Sequence, residues 1–309
     1  MYPSKTQRLP RRIDRVKTTR ILQDLLKKDE VLVTAGAYDA LSARIIEQAG
    51  FPVVSTTGFG ISASYLGRPD VELYTMTENL AVVRNIVQTV KVPVIADLDT
   101  GYGNALNVIR TVREFEQAGC AGGHLEDQMV PKRCPACVPT VALLPVAEAV
   151  GKIKAAVDAR KDPDFLIIAR TDALGQEAVD RANAYLEAGA GLAMFISKAF
   201  PTYQELKSYS RQVKGHFALG YFETLSYPSW LKEDWTLDGL KSIGTKLLSY
   251  PLAPLFAAAQ AVRGVAEHVA RHKTIQGLES PPRMDHERFA ELIGFPEMTE
   301  LQKKYMPLD

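Results

Sequence analysis

Eight short apolar runs alternate with longer amphipathic stretches, and this alternation constrains the chain more than any other feature. The runs fall at residues 31–35, 53–57, 92–99, 122–126, 165–170, 192–196, 217–221 and 247–250. They are rich in Val, Ile, Leu and Phe, as strands covered on both faces should be. Helical patterns lie between them, among others at 40–49, 77–90, 105–118, 145–160 and 176–188. Several end in the same punctuation: Ala49-Gly50, Ala118-Gly119, Ala188-Gly189 and Ile243-Gly244. A glycine there can turn left-handed and close a helix before the next buried strand. Eight βα units of this size predict an α/β protein with a (β/α)8 TIM-type barrel. A doubly wound open sheet is the main rival, but no G-x-G-x-x-G follows the first run and eight units suit closure better.

The barrel is expected over residues 29–273, its last helix at 255–272. Residues 274–309 exceed what a barrel needs: Pro281-Pro282 breaks the chain, then helical patterns follow at 285–293 and 297–305. This predicts a C-terminal helical appendage packed across a subunit boundary and swapped between subunits. The run at residues 257–261 reads as helix surface suited to close packing. Residues 1–28 form a basic arm, since the first 20 residues hold Lys5, Arg8, Arg11, Arg12, Arg15, Lys17 and Arg20 against the single acid Asp14. Pro3 and Pro10 interrupt any amphipathic helix there, which favours a solvated arm over a mitochondrial presequence. A cytoplasmic protein is the expectation, with a mitochondrial one as the alternative.

Composition narrows the function. Lys plus Arg is 37 and Asp plus Glu 36, a net charge of +1, so no global field gathers nucleic acid or an anionic membrane. No run of about 18 apolar residues offers a transmembrane helix. Cys120, Cys134 and Cys137 are too few for a disulfide framework or a four-ligand zinc site.

In a barrel the active site forms at the carboxyl ends of the strands. Those ends read Thr57-Gly58, Asp97-Leu98-Asp99-Thr100-Gly101, Glu126-Asp127, Arg170-Thr171-Asp172, Ser197-Lys198 and Tyr221-Phe222-Glu223. Strand alternation would put Asp97 with Asp99, and His124 with Glu126, on one face. If those faces point inward, three carboxylates converge and repel one another unless a cation or protons neutralise them. Oxygen-only ligands favour a hard cation, Mg2+ or alternatively Mn2+. The competing reading has the same acids capping helices and pairing with Arg170 or Lys198. His124 reads as a hydrogen-bonded core residue, and His216, His268, His272 and His286 as surface. Trp230 and Trp235 read as packing.

Residues 128–144 hold three prolines, two cysteines and little regular pattern, as a functional lid would. Lys132-Arg133-Cys134 puts a thiol beside two cations, which favours reactivity. Cys134 therefore reads as an acid, base or substrate contact. The Cys134-x-x-Cys137 spacing also permits a redox pair or two metal ligands.

Six separated motifs then match a known family. Gly36-Ala37-Tyr38-Asp39-Ala40-Leu41-Ser42-Ala43-Arg44, Thr57-Gly58, Gly67-Arg68-Pro69-Asp70, Asp97-Leu98-Asp99-Thr100-Gly101-Tyr102-Gly103, Leu125-Glu126-Asp127-Gln128 with Pro131-Lys132-Arg133-Cys134, and Ala169-Arg170-Thr171-Asp172-Ala173 stand in the expected order. Together they resemble the isocitrate lyase/phosphoenolpyruvate mutase superfamily, nearest its 2-methylisocitrate lyase, carboxyphosphonoenolpyruvate mutase and oxaloacetate hydrolase-like branches. The resemblance implies a (β/α)8 barrel assembled into homotetramers by exchange of the last barrel helix. It implies that Asp97, Asp99 and Glu126 hold Mg2+ directly or through water, with Asp70 behind them. It places Thr57, Gly58 and Phe59 on the carboxylate of a 2-oxo acid and Arg170 on the substrate's oxygen charge. Lys132 and Cys134 fall on the gating loop, with the cysteine as general acid.

This chain departs from the lyase pattern in three places. Pro135-Ala136 replaces Gly-His after the loop cysteine, Ile196 stands where lyases have glutamate, and Tyr221-Phe222-Glu223 replaces a polar turn. Ser197-Lys198 matches half of the His-Ser-Lys of the phosphonate-handling branch, so Ser197 and Tyr221 are further candidates for substrate contact. The changes make the distal half of the pocket less polar, and a buried carboxylate without donors is costly there. The expected function is a Mg2+-dependent carbon–carbon lyase acting on a small-molecule 2-hydroxy or 2-oxo acid through an enolate-like intermediate, with a less polar substrate than methylisocitrate. Alternatives are a hydrolase, decarboxylase or phosphonomutase on a 2-oxo acid, a rewired natural-product enzyme, or a non-catalytic metal or 2-oxo acid binder.

Overall fold

A computed structural model describes residues 17–135, 137–221 and 235–306. Eight parallel strands close into a barrel in chain order. They are β1 Leu32–Ala37, β2 Val54–Thr56, β3 Val94–Asp97, β4 Gly122–Glu126, β5 Leu166–Thr171, β6 Leu192–Ile196, β7 Phe217–Gly220 and β8 Thr245–Tyr250. The ring closes where Leu32 to Ala35 of β1 pair with Leu247 to Tyr250 of β8. No described helix is long and apolar enough to cross a membrane.

The strands bury both faces, which is why they read as apolar runs. Leu166 and Ile168 of β5 and Leu192 and Met194 of β6 join Leu32, Ile95, Ala218 and Leu247 in one interior cluster. Their neighbours Ile167 and Ala169 belong to a second cluster, with Ile153, Ala156 and Tyr185 of the outer helices. The outer helices include α2 Ala40–Gln48, α4 Met76–Thr89, α5 Ala105–Ala118, α6 Val146–Ala159 and α7 Gly175–Glu187. The expected glycine closures hold: Gly50, Gly119, Gly189 and Gly244 all take φ between 94° and 100°.

Helix α1, Thr18–Lys27, falls within the stretch read as a basic arm. Its Leu22 is fully buried and joins the interior cluster, so this helix plugs the amino-terminal mouth of the barrel. The basic residues before Lys17 lie outside the described residues, as do Ala136, Phe222, Glu223 and Trp230.

The last barrel helix, α10 Ala253–His272, is followed by α11 His286–Leu292 and α12 Phe295–Tyr305. Phe256 at the start of α10 meets Phe59 edge-on, with ring centroids 6.1 Å apart. Yet α10 contains no buried residue over its 20 positions. Val262, Ile275, Phe289, Phe295 and Met298 are all exposed.

Candidate active site

Strand β3 ends at Asp97, and Asp99 lies in the turn beyond it with φ of 50°. The two carboxylates therefore approach through a left-handed turn and not through strand alternation, a conformation that Asp tolerates better than most residues. Asp97 Oδ1 accepts from the Asp99 N–H at 3.0 Å, and Asp97 Oδ2 accepts from the Gly58 N–H at 2.7 Å. Gly58 is required for this approach. A Cβ there would lie 2.8 Å from Asp99 Oδ1 and 2.9 Å from Asp97 Oδ2. Tyr74 and Tyr102 each donate to Asp99 Oδ2 at 2.6 Å, and Asn79 donates to Tyr102 at 2.7 Å.

The lid is pinned at both ends and reaches into this cluster. Gln128 bridges Leu143, and the Leu144 N–H donates to the Asp127 carbonyl at 2.9 Å. Between these points Lys132 is buried, with its ammonium 3.0 Å from Asp70 Oδ2 and in direct contact with Asp99. Its own N–H donates to Glu72 Oε2 at 2.9 Å, and Glu72 also accepts from Thr100. Cys134 is buried beneath the lid while Cys137 is exposed, and neither is in a disulfide.

Arg170 continues the inward side of β5 after Leu166 and Ile168. It grips Asp172 through Nε at 2.9 Å and Nη2 at 3.0 Å, which fixes the guanidinium plane. Nη1 lies 2.9 Å from Glu126 Oε2. Gln128 adds a 2.5 Å bond to Asp172 and accepts the Arg133 N–H, so the arginine and the lid share one support.

These groups surround a cavity of about 50 Å3, lined by Thr57, Phe59, Asp70, Asp97, His124, Cys134 and Arg170. Met194, Ile196, Pro135, Pro251 and Leu252 form its apolar wall. That is room for a few waters and not for a branched dicarboxylic acid. The lid residues Cys134 and Pro135 border this cavity directly. Ser197 and Tyr221, both expected near substrate, are buried but do not line this cavity; the Tyr221 ring packs at a tilt on Trp235 and edge-on to Tyr250, with centroids 5.5 and 5.7 Å apart.

Electrostatics follow from this burial. Burial pulls the Asp97 carboxyl upward, but His124, Lys132, Arg170 and the Gly58 N–H outweigh it and hold it at about 2. Burial also lowers the His124 pKa. Asp70 is raised to about 6, chiefly by burial, against the pull of Lys132. Burial lifts Glu126 well above the usual carboxylate range despite Arg170.

The donor set suits a hard cation. Asp70 Oδ1 and both Glu126 oxygens are buried without a hydrogen bond, although Arg170 stands within ion-pair distance of one of them. Lys132 meanwhile serves Asp70 and Asp99 as an internal cation. Among the described residues no three His, Cys, Asp or Glu side chains close on one point as a ready cage. Coordination completed by water and substrate is what a small hard cation commonly adopts. The pairing of acids with basic side chains is real, but its partners are Lys132 and Arg170. Lys198 turns instead to the lid.

Comparison with known proteins agrees with this architecture. Residues 22–270 match the phosphoenolpyruvate phosphomutase family. The chain belongs to that family, within the isocitrate lyase/phosphoenolpyruvate mutase superfamily, and is an enzyme of the lyase type. It is 39% identical to 2,3-dimethylmalate lyase of Eubacterium barkeri, over 92% of this chain and 96% of that protein. Among solved structures, a phosphoenolpyruvate phosphomutase of Streptomyces platensis subsp. rosaceus superposes with a TM-score of 0.84 at 33% identity, covering 93% of this chain and 99% of that one. A phosphonopyruvate hydrolase complexed with oxalate and Mg2+ gives 0.82 at 31% identity, over 94% of this chain and 100% of that one.

Several supporting residues escape a reading of strand ends. Tyr102 sits in the motif that carries the two aspartates, so its place was within reach. Tyr74, Glu72, Asn79 and the buried Lys152, which donates to the Thr100 carbonyl, come from loops and helices with no local signal.

Proposed function

We propose that this protein is a divalent-cation-dependent carbon–carbon lyase acting on a 2-hydroxy acid with an apolar distal substituent, releasing a 2-oxo acid. One observation carries this reading. Arg170, braced by Asp172, and Cys134 line a single cavity together with the apolar side chains of Met194, Ile196, Pro251 and Leu252.

Mg2+ or Mn2+ held by Asp97, Asp99 and Glu126, with Asp70 behind, would supply the positive charge that favours an enolate-like transition state. The chain's own residues do the rest. Thr57, Gly58 and Phe59 receive the substrate carboxylate, and Arg170 offsets charge growing on oxygen. The hydroxyl proton passes to a water in the cavity, the carbon–carbon bond breaks with its electron pair on the departing carbon, and the Cys134 thiol gives that carbon a proton, the resulting thiolate regaining the one that the water took. The closed lid excludes water and delivers Lys132 and Cys134 together. A lining dominated there by Met194, Ile196, Pro251 and Leu252, with Ser249 the one hydroxyl among them, disfavours a third carboxylate.

The test is release of 2-oxo acid from malates alkylated at C2 and C3, measured beside methylisocitrate. Preference for the alkylated malates supports the assignment. Turnover of methylisocitrate equal to that of an ordinary methylisocitrate lyase overturns it. Hydrolysis or decarboxylation of a 2-oxo acid by the same half-site would appear as product formation without carbon–carbon cleavage of the malates.

The assembly belongs to the same reading. We infer a homotetramer in which α10 packs on a neighbouring copy, because a last barrel helix with no buried residue is unusual and its tail exposes Phe289, Phe295 and Met298. Light scattering on the eluting protein checks it; a monomer at micromolar concentration contradicts it.

A further inference from the structure

Lys198 directly follows β6, in the single 3-10 turn Ser197–Ala199. Its ammonium donates to two main-chain carbonyls of the lid, Pro135 O at 2.9 Å and Val138 O at 2.5 Å. Those carbonyls bracket the turn that holds the thiols, which is closed by the Cys137 N–H donating to the Cys134 carbonyl at 2.9 Å. Lys198 thus ties the rigid rim of the barrel to the one segment of the lid that places Cys134 over the cavity.

A second chamber of about 180 Å3 lies beside this tie, with Val141, Leu143 and Leu174 on its apolar side and Asp172, Glu177 and Lys198 on its charged side. Pro135 lines both this chamber and the catalytic cavity. Pro135, whose carbonyl Lys198 holds, therefore stands between the two spaces.

The two lid lysines differ in the strength of their hold. Lys132 is fully desolvated between carboxylates, whereas Lys198 is half-buried and held by neutral carbonyls. A charged donor on a carbonyl is stronger than a neutral pair but much weaker than a buried ion pair, so it can be released and remade. Burial also lowers the Lys198 pKa, which makes its hold easier to break than that of a fully solvated ammonium gaining the same partners.

We propose that Lys198 is a positioning residue, a latch that holds the Cys134 turn closed over the catalytic cavity and, on release, joins the outer chamber to it. The proposal rests on residues 128–144 being the lid of the active site. On release the combined space receives the apolar substituent of the substrate. Lys198 acts through the turn, not on the reacting atoms.

The test measures how fast Cys134 reacts with a small aromatic disulfide, in a Cys137→Ser background that removes the exposed thiol. Lys198→Met and Lys198→Gln are each compared with Lys198→Arg, which keeps the charge and the donors. The expected result is labelling at least about tenfold faster in Met and Gln, which lose the charge-assisted bonds to both carbonyls, with Arg close to the parent. Melting temperatures within a few degrees of the parent exclude general loosening. Unchanged Cys134 labelling in whichever of the two neutral variants folds overturns the latch, as does equal acceleration in Lys198→Arg. A parallel arm adds oxalate and Mg2+ to the parent. Loss of protection there, with the latch variants still faster, removes the lyase reading and leaves the latch standing.

Discussion

The Lys132 ammonium lies 3.0 Å from Asp70 Oδ2, joining residues 62 positions apart in the chain. The same ammonium contacts Asp99, so closing the lid carries a positive charge into the carboxylate cluster. Neutralisation of that cluster is thus coupled to the position of the loop. The same lid carries the Cys134 thiol, so charge and thiol move as one unit.

Replacing Lys132 with Met leaves Asp70 and Asp99 buried without their partner. Breaking a buried pair costs about 3–5 kcal/mol. Thermal unfolding should show a clear loss of stability, and millimolar Mg2+ should raise the melting temperature of the variant more than that of the parent. A variant that is as stable as the parent and indifferent to Mg2+ would argue that Lys132 does not neutralise these acids.

Asp172 holds the Arg170 guanidinium by two bonds, at 2.9 and 3.0 Å. Asp172→Asn keeps the volume but loses the charge and one acceptor. A loss of roughly 2 kcal/mol in positioning corresponds to about thirtyfold in kcat/KM. Steady-state kinetics on the preferred acid should show it mainly in kcat, since the arginine acts on charge that develops during reaction. An unchanged kcat would show that Arg170 needs no brace.

Ile196 lies on the apolar wall of the cavity. Ile196→Glu introduces a carboxyl with no donor beside it, and burying it costs a few kcal/mol. Turnover of alkylated malates should fall at least about tenfold by the same principle. Equal activity in the variant would place the substrate's distal group elsewhere.

Cys120 is buried at the end of α5, and burial pushes its thiol up to about 12 from an ordinary value of 9.0. The folded protein then keeps a proton that the unfolded chain gives up. Its contribution to stability is complete below pH 9 and is lost as pH rises towards 12. Denaturant midpoints between pH 8 and 11 should fall more steeply for the parent than for Cys120→Ala. Parallel slopes would mean that the thiol ionises normally in the folded state.

Fold and site differ in how much of them a sequence can carry. The barrel was legible because each strand is buried on both faces and several helix stops are marked by a glycine, both local signals. Gly122–Glu126 and Leu192–Ile196 fall where the apolar runs end, and Ala105–Ala118 where its pattern does. The site acids were legible as a set through the resemblance of their motifs, but the expected cause of their convergence was wrong in detail. Asp99 meets Asp97 through a turn with φ of 50°, which residue alternation does not encode. Lys132 entering between Asp70 and Asp99 depends on a loop folding back over 33 and 62 residues of chain, and no local pattern states it. The plug made by Leu22 was hidden because α1 is basic on its exposed face and buries few residues.

The central claim is that Asp97 and its neighbours form a cation-dependent half-site for an enolate-like acid. Calorimetric titration with oxalate, with and without Mg2+, on the parent and on Asp97→Ala tests it most directly. The account predicts tight binding that needs both Mg2+ and Asp97. Binding that persists without either, or no binding in the parent under any of these conditions, would contradict it.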